Sequence, residues 1–130
     1  MSAAAQIVKE SGSIIIATEC WDGIPEHGGF GTLLRGAKSL AELLARIESP
    51  GFASADQWQA QIQAKIQMKA DVYVRADGLS DGQITEALLK SCPRIEDTLA
   101  ELIAKYHNHP SICVMPEGPL TIPYILNYSN

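Results

Sequence analysis

This 130-residue chain lacks long apolar runs, basic clusters and any second histidine at metal-ligand spacing from His27. No apolar stretch approaches the ~20 residues that span a bilayer, so a membrane is not expected as a partner. Ten Lys+Arg against fifteen Asp+Glu give a formal net charge of −5, without a Lys/Arg cluster anywhere. That argues against nucleic acid. The three cysteines, Cys20, Cys92 and Cys113, are widely separated and odd in number, which is neither a disulfide framework nor a zinc pattern. Met1–Ile7 is Ala-rich but has neither a charged lead nor a long apolar stretch, which argues against a signal peptide. GxGxxG and GxxxxGK[ST] are both missing, so nucleotide binding by those motifs is unsupported. No Ser–His–Asp or Cys–His arrangement and no isolated carboxylate pair can be assigned from residue order. The expectation is a soluble, cytoplasmic protein.

What is present is the composition of one globular domain, 46% hydrophobic and long enough to bury a core. Three short Ile/Val-rich runs, Ser13–Thr18, Asp71–Arg75 and Ser111–Met115, are predicted strands. Amphipathic helical patterns lie between them. The predicted fold class is therefore α/β: a single domain, 1–130, of three layers. Its sheet is mainly parallel, with at least three strands and crossover helices on both faces. Ser39…Glu42, Ser54…Gln57 and Ser80…Gln83 each fit the capping box that opens a helix. Leu40, Leu43, Leu44 and Ile47 form one stripe, Trp58, Ile62 and Ile66 a second, and Ile95, Leu99, Leu102, Ile103 and Tyr106 a third. Pro93 suits a first helical turn. The glutamines Gln57, Gln59, Gln61, Gln63 and Gln67 read as a solvated face, and Cys113 as a small buried core residue. His107 and His109 read as helix C-terminal charges. The proline-broken tail Pro116–Pro123 is expected to be an ordered loop over the end of the sheet, with Tyr128–Asn130 fraying.

Chemistry concentrates in one place. After the strand-like Ser13–Ala17 comes a polar loop, Glu19–Gly29, that holds Glu19, Cys20, Trp21, Asp22, Glu26 and His27. In α/β folds the carboxyl end of a parallel strand is where ligands bind. His27 reads as an acid/base group, a metal ligand, a contact to an anion or partner, or a solvated loop residue. Gly28 and Gly29, just before Phe30, could present backbone N–H groups to an anion. Trp21, in a polar loop, favours an interface or ligand contact. Trp58 is a core residue by its stripe, although a buried indole N–H would need a partner. Cys20 reads as an inert strand-end thiol rather than a reactive one.

Three stretches then form a recognisable set: GSIIIATECWDGIPEHGGF (Gly12–Phe30), ADQWQAQIQAKIQMKADVYV (Ala55–Val74) and VMPEGPLTIP (Val114–Pro123). Together they resemble the C-terminal domain of the nickel-pincer lactate racemase family, over about Ala3 to Pro123. The resemblance implies a longer two-domain protein in which this is the C-terminal part, and an isomerase that interconverts 2-hydroxy acid stereoisomers. Its nickel-pincer nucleotide (nickel pyridinium-3,5-bisthiocarboxylic acid mononucleotide) would be bound by the N-terminal domain, with no catalytic, cofactor or metal residue in this chain. Trp58, in the DQW motif, is the one family active-site position that carries over. Glu19, Trp21, Asp22, His27, Gly28, Gly29 and Trp58 would face the substrate cleft, and the partners would be the N-terminal domain and a small 2-hydroxy acid. Ile24-Pro25-Glu26-His27 departs from the usual family loop. The alternative expectation is a free-standing small-ligand or protein-binding module without catalysis.

Overall fold

The β-branched run Ile14–Ile16 cannot relax against a helical turn and packs best on a pleated surface. In the computed structural model, which describes residues 1–107 and 109–126, it lies at the centre of strand β1, Gly12–Thr18. Helix α1 (Ser2–Ile7) precedes it. Helices α2 (Phe30–Arg35), α3 (Leu40–Ile47) and α4 (Gln57–Lys69) lead to strand β2 (Ala70–Ala76). Helix α5 (Asp81–Glu86), strand β3 (Lys90–Ser91) and helix α6 (Ile95–Lys105) follow, then a 3₁₀ turn at Gly118–Leu120. The sheet is parallel throughout, in the order β1-β2-β3, with Gly12 opposite Ala70 and Thr18 opposite Ala76. The α/β class and the parallel sheet match expectation. No helix among the described residues is long and apolar enough to cross a membrane.

Strand alternation sorts β2 into two faces. Ala70, Val72, Val74 and Ala76 are buried with Ile14, Ile66 and Ile84 on the first face, beneath α1, α4 and α5. A second cluster, Leu33, Leu34, Leu43, Ile47, Ala60 and Ala64, joins α2 and α3 to α4. The expected α3 stripe is therefore confirmed. On the second face, α6 buries Thr98 and Leu102, the latter from its expected stripe, and polar contacts tie it to the sheet. The Tyr106 hydroxyl donates to Ser11 O at 3.0 Å and sits 3.0 Å from Ser13 Oγ. Asp71 bridges Lys90 at 2.8 Å and Lys105 at 3.0 Å.

The caps vary. Ser80 and Gln83 make the full reciprocal box. Ser39 accepts from Glu42 N–H at 3.2 Å, while the Glu42 carboxylate turns to Lys38 N–H. At Ser54 only half the box forms: Gln57 Oε1 accepts from Ser54 N–H at 2.7 Å, and α4 starts after Asp56, at φ 58°.

Several expectations are corrected. Ser111–Met115 forms no strand; the third strand is Lys90–Ser91, two residues long and too short to leave a period in the sequence. Cys113 is consequently exposed, and Ile112 and Val114 with it. Pro93 stands just outside α6, whose N-cap is Arg94. The core face of α4 is Ala60, Gln63, Ala64 and Ile66, not Trp58–Ile62–Ile66. Gln63 is buried because its side-chain N–H donates to Ala87 O at 2.8 Å, and Gln67 donates likewise to Leu88 O. The turn at Leu88 (φ 60°) leaves those carbonyls without backbone partners, and buried carbonyls need donors. At the end of α6 the backbone N–H groups of His107 and His109 close the helix, bonding Ala104 O and Tyr106 O. The tail makes its 3₁₀ turn against α1. The expectation for Tyr128–Asn130 lies outside the described residues.

The Lys90 ammonium, hydrogen-bonded to Asp71, and Lys105 beside it hold the Asp71 carboxyl below the usual carboxylate range, and Asp71 in turn raises Lys105. A carboxyl depressed in the folded state stabilises above its unfolded value, about 3.9, and that contribution is lost as pH falls through the folded value. With a third of the side chain exposed, solvent limits the effect to about 0.5–1 kcal/mol. Asp71→Asn should lower urea-unfolding stability by that amount at pH 7, with the gap to the parent closing as pH falls from about 4 toward 2. A gap that stays constant across that range would contradict the assignment.

Candidate functional site

Both ends of the Glu19–Gly29 loop are pinned by close backbone approach. At the start, Gly78, just after β2, donates its N–H to Glu19 O at 2.7 Å, and a side chain at position 78 would overlap Cys20 O. Cys20 is half-buried at φ 48°, and Gly23 N–H returns to Cys20 O at 2.9 Å. The resulting turn lifts Trp21 and Asp22 to its tip. Trp21 is 75% exposed, its indole N–H donating to Glu19 Oε2 at 2.7 Å. Glu26 and His27 are exposed along the loop.

At the far end, Gly28 sits at φ 95° against the Asp56 carboxylate, and a Cβ on Gly29 would overlap Ala55 O and approach Ser54 Oγ to 2.7 Å. The glycine pair is therefore a packing device that lets the loop lie on the turn opening α4. The carboxylate beside it opposes the anion-binding reading, and α2 is only six residues long. Gly28 and Gly29 thus meet the segment immediately before Trp58.

α4 ends at Lys69 where β2 begins, so its first turn returns to the carboxyl end of the sheet, beside this loop. There Trp58 is 60% exposed rather than in the core. With Met1, Phe30, Gln59 and Ile62 it lines a shallow, mainly apolar groove of about 240 Å³. The structure gathers Gly28, Gly29 and Trp58 at one edge of this surface and the Glu19–Trp21 pair at the loop tip, with His27 between them in sequence. Among the described residues no three His, Cys, Asp or Glu side chains converge as a metal site.

Met1, Phe30, Gln59 and Ile62 were not legible as groove residues. Ile62 carried a signal, since it lies four residues beyond Trp58 and shares its helical face. The others become neighbours only through the fold.

The lactate racemase C-terminal domain family matches residues 1–122. A curated relative, the lactate racemase of Thermoanaerobacterium thermosaccharolyticum, is 30% identical over 122 residues, covering 91% of this chain and 28% of the relative. The solved structure of the lactate racemase apoprotein from the same organism superposes with a TM-score of 0.72 at 27% identity. It covers 83% of this chain and 26% of that one. The chain thus spans just over a quarter of the length of these relatives.

The two ends of the loop should respond differently to a methyl group. Gly29→Ala forces backbone apart and should cost about 1–3 kcal/mol in thermal or urea unfolding. Gly23→Ala meets open space and only the penalty of its φ of 69°, about 1 kcal/mol. Equal costs at both positions would contradict the packing role of Gly29.

Proposed function

The chain belongs to the lactate racemase C-terminal domain family, and from that premise we propose that it is the cleft-closing domain of a two-domain 2-hydroxy acid racemase. The substrate is a small 2-hydroxy acid, the partner is an N-terminal domain of the same polypeptide, and the setting is the cytoplasm. In this reading a nickel-pincer nucleotide, when bound, supplies the hydride chemistry at the α-carbon. In this reading that group belongs to the other domain, and the side chains of this chain close over it.

What this chain contributes is a surface. Trp58, Phe30 and Ile62 present apolar area that, left open to water, is unfavourable for a soluble domain. Closed against a partner, the same area excludes water from a reacting centre and limits substrate motion. The Glu19–Gly29 loop, pinned at both ends, forms the polar rim, with Asp22, Glu26 and His27 available to meet a hydroxyl or carboxylate. The observation that carries the reading is the exposure of Trp58 at the carboxyl end of the sheet, where burial in the core was the ordinary expectation.

The test is Trp58→Ala in the full two-domain polypeptide, assayed by interconversion of D- and L-lactate and of larger 2-hydroxy acids. Loss of kcat/KM of at least ~10-fold is expected, about 1.4 kcal/mol of transition-state binding. Unfolding stability should move by no more than about 0.5 kcal/mol, because the side chain is largely exposed. Unchanged kcat/KM would sink the role of Trp58, and no interconversion of any 2-hydroxy acid by the parent would sink the reaction class.

A further inference from the structure

Helix α6 crosses the second face of the sheet with Arg94, Asp97, Thr98 and Glu101 at i, i+3, i+4 and i+7, along one helical face. Between that face and the sheet residues Tyr73 and Ser91 lies a cavity of about 310 Å³, with Pro93 completing its lining. It shares no residue with the Trp58 groove, which α4 builds over the opposite face. Ser91 is the last residue of β3, so the cavity opens where the chain leaves a parallel strand for a helix. That is the ordinary place for a ligand in an α/β fold.

Thr98 argues for an occupant. It is only 8% exposed. A helical threonine can return its hydroxyl to the carbonyl four residues back, as Thr85 does to Asp81 O at 2.9 Å. Thr98 makes no such bond, nor any other side-chain hydrogen bond among the described residues. Its hydroxyl is not sealed in either: among the described residues the one enclosed side-chain atom without a partner is Gln67 Oε1. The Thr98 hydroxyl therefore opens into the cavity that its residue lines, and a buried hydroxyl needs a partner.

The surrounding charges decide the sign of that partner. Lys90, whose ammonium lies 5.4 Å from the Tyr73 ring centre, is paired with Asp71 at 2.8 Å. Arg94 Nε is paired with Asp97 Oδ2 at 3.1 Å. Glu101 lines the cavity without a paired cation among the described residues, since Lys105, one turn on, is held by Asp71. One negative charge is left over. The start of α6 does not reverse this, because Glu96 and Asp97 already answer its dipole. We propose that this cavity binds the primary ammonium group of a small amine. The three N–H donors of such a group match the Glu101 carboxylate, the Asp97 carboxylate and the Thr98 hydroxyl. An apolar body then lies along Pro93 and the Tyr73 ring. The proposal does not depend on the proposed reaction.

A nitrogen-15 NMR titration of the 130-residue chain with butylammonium chloride tests it, beside tetramethylammonium chloride and sodium butyrate at constant ionic strength. Saturable shifts of the Ser91, Thr98 and Glu101 amides by butylammonium are expected, with the Trp58 indole signal unmoved. Tetramethylammonium carries the charge but no donor and should bind at least ~5-fold more weakly, and butyrate should not bind. Glu101 is exposed, so Glu101→Gln leaves folding intact and should weaken butylammonium binding at least ~5-fold. Thr98→Val should weaken it ~3-fold. Shifts that grow without saturation would overturn the proposal, as would equal binding of butylammonium and tetramethylammonium. Unchanged affinity in Glu101→Gln would do the same.

Discussion

The parallel pairing of β1 with β2 is the constraint from which the rest of the architecture follows. Two parallel neighbours cannot be joined by a tight turn; the chain must travel back the full length of the sheet before the second strand begins. Here that return is Glu19–Lys69, and it contains the polar loop, three helices and every buried member of the second hydrophobic cluster but Ala87. Because Gly12 stands opposite Ala70, α4 must deliver Ala70 to the start of the sheet, and its own first turn must lie at the other end. Trp58 and the Glu19–Gly29 loop are thereby brought to one surface, although Trp58 follows Gly29 by 29 positions and Glu19 by 39.

Polar groups make this arrangement specific. The turn from α5 to β3 would leave Ala87 O and Leu88 O buried and unpaired, and two glutamines of α4 supply the donors. A helix with alanines on its inner face approaches the sheet and α3 closely, and only long amides can reach past those alanines to the turn. On the opposite face Asp71 ties β2 to β3 and to α6 through two lysines, while Tyr106 ties α6 to the start of β1. The first face is held by apolar burial, whereas on the second the buried Leu102 and Thr98 of α6 are joined by hydrogen bonds and charge.

The features legible in the sequence are those written locally. Strands β1 and β2 announce themselves by β-branched runs, and Ser39 and Ser80 by their capping partners. The leucine stripe of α3 keeps its period throughout. The family resemblance rests on loop and turn residues whose geometry is demanding, such as the Gly28–Gly29 pair against Ser54–Asp56. The unread parts depend on distant neighbours. Gln63 looks like solvated surface until the Ala87 carbonyl lies beside it, and Trp58 looks like core until the fold ends above it. Lys90–Ser91 is a strand only because Tyr73 and Val74 pair with it. Ser111–Met115 has strand composition, yet composition does not choose between a free edge and open solvent.

The central claim is that this domain acts as one part of a longer protein whose other part holds the reacting centre. The most direct measurement is the intact mass of the native polypeptide that contains this segment, isolated from its source cells. The account expects a chain several times heavier than 14.0 kDa, with this domain following another in one polypeptide. A native species of 14.0 kDa would contradict it.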